Sequence, residues 1–154
     1  MGTKYRGKKE EVRALDTFIK LMRAAESVMN RTQLRLKEFN LTASQFGAME
    51  SLYHLGPMCQ RDVGAKILKS GGNITMVVDN LQKRGLVTRK RDSADRRFIT
   101  VDLTPAGRQL IEDVFPVQLA GIVDDMSVLT SDEQEEIGAL LKRLGLQEAY
   151  RATA

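Results

Sequence analysis

Between Gly72 and Lys83 the chain carries small and hydrogen-bonding residues at positions that fall on one side of a helix. Ile74, Val77, Val78 and Leu81 hold the i, i+3, i+4, i+7 spacing of an apolar face. With those four turned inward, Gly72, Met76, Asp79 and Lys83 point away, flanked by Thr75 and Asn80. Such an outer face suits double-stranded DNA. Asn and Thr side chains can hydrogen-bond base edges, and methyl groups can meet the thymine methyl. Gly71 and Gly72 leave room for the backbone to approach phosphate, where a helix N-terminus favours an anion. Taken alone, the same pattern also describes a plain surface helix with glycine in its entry turn.

The next fifteen residues weigh toward DNA. From Lys83 to Arg97 there are seven basic residues against Asp92 and Asp95. From Asp124 to Glu148 there are seven acids against Lys142 and Arg143, so charge is segregated along the chain. Phosphate neutralisation supplies most non-specific affinity for DNA, and an arginine at a hairpin tip can enter the minor groove. A solvated charge run is the competing explanation.

These residues need elements to hold them. Residues 10–39 contain no Pro or Gly and predict one long helix, ended by Asn40 and Leu41. Thr42-Ala43-Ser44-Gln45 predicts a capping box opening a second helix, stopped by Gly56-Pro57. A short helix follows from Gln60 to about Leu68, burying Val63 and Ile67. Ser70-Gly71-Gly72 then separates it from a helix over Asn73–Arg84, closed by Gly85 in the left-handed C′ conformation. The apolar period changes from 3.6 to 2 over Leu86–Arg91 and Phe98–Leu103, which predicts a hairpin with a charged tip. Thr104-Pro105 caps a helix reaching about Ser127, with Pro116 expected to kink or break it. Thr130-Ser131-Asp132-Glu133 caps the last helix. Helices followed by a two-stranded hairpin form the winged helix-turn-helix plan, a mainly α fold with a small β-hairpin wing.

Composition bounds the alternatives. The chain has 154 residues, a net charge of +4 and 42% hydrophobic residues, which suits one globular domain. No P-loop, no Gly-x-Gly-x-x-Gly and no Cys/His cluster is present, and one histidine, His54, offers no Ser-His-Asp set, so an enzyme is a poor reading. No metal site and no cofactor are expected. No apolar run approaches the roughly 20 residues of a membrane helix, and the basic start, residues 1–9, reads as a flexible tail rather than a signal or a binding arm. A cytoplasmic protein is expected, and the lone Cys59 suits a reducing compartment.

The stretch from Ser70 to Val87, SGGNITMVVDNLQKRGLV, resembles the recognition helix and wing entry of the MarR (multiple antibiotic resistance regulator) family. Asp95 to Thr104, DRRFITVDLT, is similar to its wing signature of Asp-x-Arg and Leu-Thr, and Gly107 follows where the family has glycine. The resemblance runs from about Arg13 to Leu146. It implies a single MarR-type domain over residues 1–154. Helices at 10–40 and 105–150 interlock two chains into a triangular homodimer, and a winged lobe at 42–104 binds each half of a pseudo-palindromic operator. It places base contacts on Ser70, Gly71, Asn73, Thr75 and Met76, and a minor-groove role on Arg96 or Arg97. Gln60, Gly72, Asn80 and Lys83 complete the expected DNA-binding set. Asp95 is expected to position the wing arginine, and Asp79 to pair with a nearby Arg rather than touch DNA.

The resemblance further implies a repressor released by a small aromatic or phenolic effector. Phe18, Met22, Met49, Tyr53, His54 and Phe115 are candidates to line its cleft, although plain core packing competes for most of them. Where close relatives carry Phe-Pro-x-His, this chain has Phe115-Pro116-Val117-Gln118. Cys59 precedes a helix beside Arg61, a setting that favours a reactive thiolate, so redox response is one alternative and a substitute N-cap another. A winged-helix module that binds protein instead of DNA is the remaining rival.

Overall fold

The computed structural model describes residues 2–67, 71–91 and 99–146. The chain divides into two compact units, Met1–Leu119 and Ala120–Ala154. The first holds helix α1 (Lys9–Lys37), helix α2 (Ala43–Leu55), strand β1 (Met58–Cys59), helix α3 (Gln60–Lys66), helix α4 (Gly71–Lys83) and strands β2 (Val87–Arg91) and β3 (Ile99–Leu103). Helix α5 (Pro105–Met126) begins in it and continues into the second unit, which also holds helix α6 (Ser131–Gly145).

Acids in the first turn of α1 (Glu10, Glu11) and bases in its last (Arg35, Lys37) complement the helix dipole. The helix ends at Asn40, which takes φ 55°, while the Leu41 amide donates back to the Leu36 carbonyl at 3.1 Å. This is a Schellman closure with Asn in the glycine position, and the buried Leu36 and Leu41 supply its apolar contact. Thr42 then caps α2 as expected: the Gln45 amide donates to Thr42 Oγ1 (3.1 Å) and the Thr42 amide to Gln45 Oε1 (2.9 Å). Gln33 staples the two helices, donating to the Leu41 carbonyl and accepting from the Ala43 amide, both at 3.0 Å.

The core of the first unit is drawn from every one of its elements except β1. Met49 and Leu52 of α2, Val63 of α3, Ile74, Val78 and Leu81 of α4, Val87 and Val101 of the wing, and Ile111 and Val114 of α5 are all buried. The inner face expected of α4 is thus observed, with Val77 half-buried at its margin.

Four details differ from the sequence expectations. Helix α4 starts at Gly71, not Asn73, so Gly71 and Gly72 form its first turn; amides there need no helical acceptor, and glycine is tolerated. Helix α3 ends at Lys66, with Ile67 as its C-cap. The hairpin gains a third strand: Met58 and Cys59 pair antiparallel with Val101 and Thr100, giving the order β1-β3-β2. Pro116 does not break α5. Its missing N–H leaves the Glu112 carbonyl without a helical donor, but both residues are exposed, so water can serve that carbonyl.

A close approach fixes the junction of wing and α5. A Cβ on Gly107 would lie 1.9 Å from the Leu86 carbonyl oxygen, so only glycine fits. Thr104 locks the same corner: its hydroxyl donates to the Gly85 carbonyl (2.7 Å) and accepts from the Gly107 amide (2.9 Å). Gly85 takes φ 69°, the left-handed C′ conformation expected at the end of α4.

In the second unit Thr130 caps α6, its amide donating to Glu133 Oε2 at 2.8 Å. No residue of α6 is buried, and Ile137, Leu140, Leu141 and Leu144 stand exposed. Leu15, Phe18, Met22, Met29 and Leu34 are likewise exposed along α1. No helix among the described residues is long and apolar enough to cross a membrane.

Candidate nucleic-acid interface

Helix α4 presents two surfaces besides its buried one. Asn73, Met76, Asn80 and Lys83 are exposed and fall on one stripe, i, i+3, i+7, i+10, with Met76 62% exposed. This stripe is built from amides, a flexible apolar chain and one cation, groups that match major-groove edges.

Thr75, Asp79 and Gln82 lie on a neighbouring face turned toward the wing, and Arg89 of β2 gathers them. Its Nη1 pairs with Asp79 Oδ1 and donates to Gln82 Oε1 at 3.1 Å. Its Nε and Nη2 donate to Gln60 Oε1 at 3.0 and 2.9 Å, and Nη2 reaches the Thr75 carbonyl at 3.4 Å. Gln60 closes the circuit by donating from Nε2 to Thr75 Oγ1 at 2.9 Å. One planar guanidinium therefore fastens the wing strand, the start of α3 and α4 to one another. The expected pairing of Asp79 with an arginine is observed, and that arginine is Arg89. A cleft of about 470 Å³ opens here, lined by Gln60, Thr75, Asp79, Arg89, Arg91 and Ile99.

The candidate DNA residues thus divide. Asn73, Met76, Asn80 and Lys83 are presented outward. Gln60 and Thr75 are bound into the Arg89 circuit. Gly71 and Gly72 stand in the first turn of α4. Ser70, Asp95, Arg96 and Arg97 lie outside the described residues.

Sequence reasoning passed over Arg89. The signal was present in the strand period: Val87 is buried, so Arg89 shares its inward-facing side of β2. A cation on that side needs an anionic partner, and Asp79 is the one acid between Gly71 and Gly85.

The candidate effector residues also divide. Tyr53 and His54 meet edge to face at 5.1 Å between ring centroids, and His54 meets Phe115 at 4.8 Å. The Arg108 guanidinium carbon sits 5.5 Å from the Tyr53 ring centre. Met49 is fully buried in the core, whereas Phe18 and Met22 are more than half exposed on α1. Gln118 is 1% exposed, accepting from Arg35 Nε (3.4 Å) and donating to the Thr32 carbonyl (3.3 Å), so it joins α5 to α1. Cys59 occupies the N-cap position of α3, but its side chain makes no cap hydrogen bond; the substitute-cap reading fails, as expected of a weak sulfur acceptor. Among the described residues no group of three or more His, Cys, Asp or Glu side chains could hold a metal ion.

Comparison with known proteins agrees with this geometry. The family model described as MarR family matches residues 41–99. The chain is 37% identical over 134 residues to the HTH-type transcriptional regulator MhqR of Bacillus subtilis, covering 87% of this chain and 92% of that protein. Among solved structures it resembles BpsR of Bordetella bronchiseptica, whose DNA binding is described as regulated by 6-hydroxynicotinic acid. The TM-score is 0.77 at 28% identity, covering 84% of this chain and 98% of that one. It shares the fold of a mutant MarR from E. coli complexed with operator DNA, with a TM-score of 0.77 at 22% identity, covering 90% of this chain and 99% of that one.

Proposed function

We propose, from the premise that the chain belongs to the MarR family of transcriptional regulators, that it is a homodimeric repressor of a pseudo-palindromic operator. The observation that carries this reading is the outward stripe Asn73, Met76, Asn80 and Lys83 on α4, beside a hairpin rich in basic residues. Asn73, Met76 and Asn80 read base edges, and Lys83 and the hairpin neutralise phosphate. Arg96 or Arg97 takes the minor-groove role, with Asp95 positioning the wing arginine, and Ser70 and Gly71 contact bases. The Arg89 circuit makes wing and recognition helix one rigid reading head, with Gln60 and Thr75 acting from within it.

Residues 1–154 act as one domain whose terminal helices, within 10–40 and 105–150, join two copies. Support comes from exposed apolar chains on α1 and α6, which a second copy would cover. The repressor is released by a small aromatic or phenolic acid, by analogy with BpsR, whose DNA binding is regulated by 6-hydroxynicotinic acid. The edge-to-face Tyr53–His54–Phe115 cluster is the aromatic surface such a ligand would meet.

Neutralising Arg96 and Arg97 together separates this reading from a protein-binding winged helix. A DNA binder loses affinity and part of its salt dependence in a fluorescence anisotropy titration. Unchanged DNA binding would favour the protein-interaction reading.

A further inference from the structure

Successive helix residues are turned by about 100°. On α4 this sets Thr75, Asp79 and Gln82, all tied to the wing through Arg89, on one side of Met76 and Lys83, and sets Asn80 and Arg84 on the other. On that second side lies another cleft of about 470 Å³, where the end of α1, the start of α2 and the end of α4 converge. Its walls carry Lys37, Lys83 and Arg84 together with the amides of Gln33, Asn40, Gln45 and Asn80, and among the described residues no carboxylate. All three cations are exposed. The Arg84 guanidinium is held in place by donation to the Asn40 carbonyl at 2.7 Å. Asn80 and Lys83 belong at once to the outward stripe and to this cleft.

We infer that this cleft grips a backbone phosphate of the DNA, with Lys37 of α1 as a contact residue. A helix lying in the major groove runs between two sugar-phosphate backbones about 12 Å apart. The basic wing serves the one on its own side. The cleft lies across the stripe from the wing, continuous with the stripe through Asn80 and Lys83, and its charge is of the sign the opposite backbone requires. Lys37 thereby joins the interface from outside the helix-turn-helix and wing, Arg84 joins it at the end of α4, and α1 becomes both a dimer helix and a DNA-contacting one. This rests on the DNA-binding reading above.

The test compares Lys37→Gln, Lys37→Arg and, as a control in the acidic segment, Lys142→Gln, measuring affinity for a labelled duplex by anisotropy over a series of salt concentrations. Each lost phosphate contact lowers the slope of log K against log salt by about 1, so a dimer of Lys37→Gln loses about 2. Lys37→Arg keeps the charge and the slope, and Lys142→Gln leaves both as in the unsubstituted protein. A Lys37→Gln slope equal to that of the unsubstituted protein, with thermal melting unchanged, overturns the phosphate grip alone. No salt-dependent binding by the unsubstituted protein overturns the DNA reading itself, and the grip with it.

Discussion

Replacing Arg89 by Met keeps the aliphatic stem and removes the fork that joins wing to recognition helix. Five contacts disappear: those to Asp79 and Gln82, two to Gln60, and the long one to the Thr75 carbonyl. They do not sum. The Asp79 side chain is 44% exposed and that of Arg89 21%, so solvent screens the ion pair to less than about 1 kcal/mol. Gln82 is exposed and Gln60 half-buried, so their carbonyls regain water, and the hydrogen bonds together add about 1 kcal/mol. The expected loss is about 1–2 kcal/mol, which for a chain of this size lowers Tm by roughly 2–8 °C. DNA affinity should fall further, by about tenfold or more. The wing loses its register against α4, and the Asp79 carboxylate is left unpaired beside incoming phosphate. Asp79→Asn should weaken binding through the same joint. The double variant Arg89→Met/Asp79→Asn should be no worse than Arg89→Met alone, because both changes break one unit. Calorimetry and anisotropy on the four proteins complete the cycle. Strictly additive losses, or a single variant that binds DNA like the parent, would refute the reasoning.

Gly107→Ala should destabilise the fold by more than about 2 kcal/mol, because its Cβ would meet a backbone oxygen rather than a movable side chain; a thermal melt reads this directly. Leu140→Glu, at an exposed apolar position of α6, should shift the protein toward monomer in sedimentation or light scattering without lowering its helix content. Asn80→Ala should relax discrimination between operator and scrambled duplex, whereas Lys83→Gln should weaken both about equally; competition anisotropy separates the two effects.

Much of this was legible because it is written in local chemistry. Thr42 with Gln45 and Thr130 with Glu133 announce two helix starts, and Gly85 marks the end of the recognition helix. The change of period after Gly85 marks the wing. The outward stripe of α4 followed from the spacing of Ile74, Val78 and Leu81 on the opposite face. What escaped depends on partners far along the chain. Strand β1 has only two residues, too few to show a period, and exists because β3 offers it an edge. The first turn of α4 is hidden by two glycines whose propensity argues for a loop. Arg89 reads as one more wing cation until Gln60, Thr75, Asp79 and Gln82 are brought around it. Met49 has the residue type of a ligand-pocket wall, but it lies wholly within the core.

Sequence-specific binding by a dimer is tested most directly by anisotropy with a labelled fragment from upstream of the protein's own gene. The fragment is titrated against unlabelled scrambled competitor at two salt concentrations. Binding that survives the competitor and weakens steeply with salt is the predicted result. Binding abolished equally by scrambled DNA, or no binding even at low salt, would contradict it.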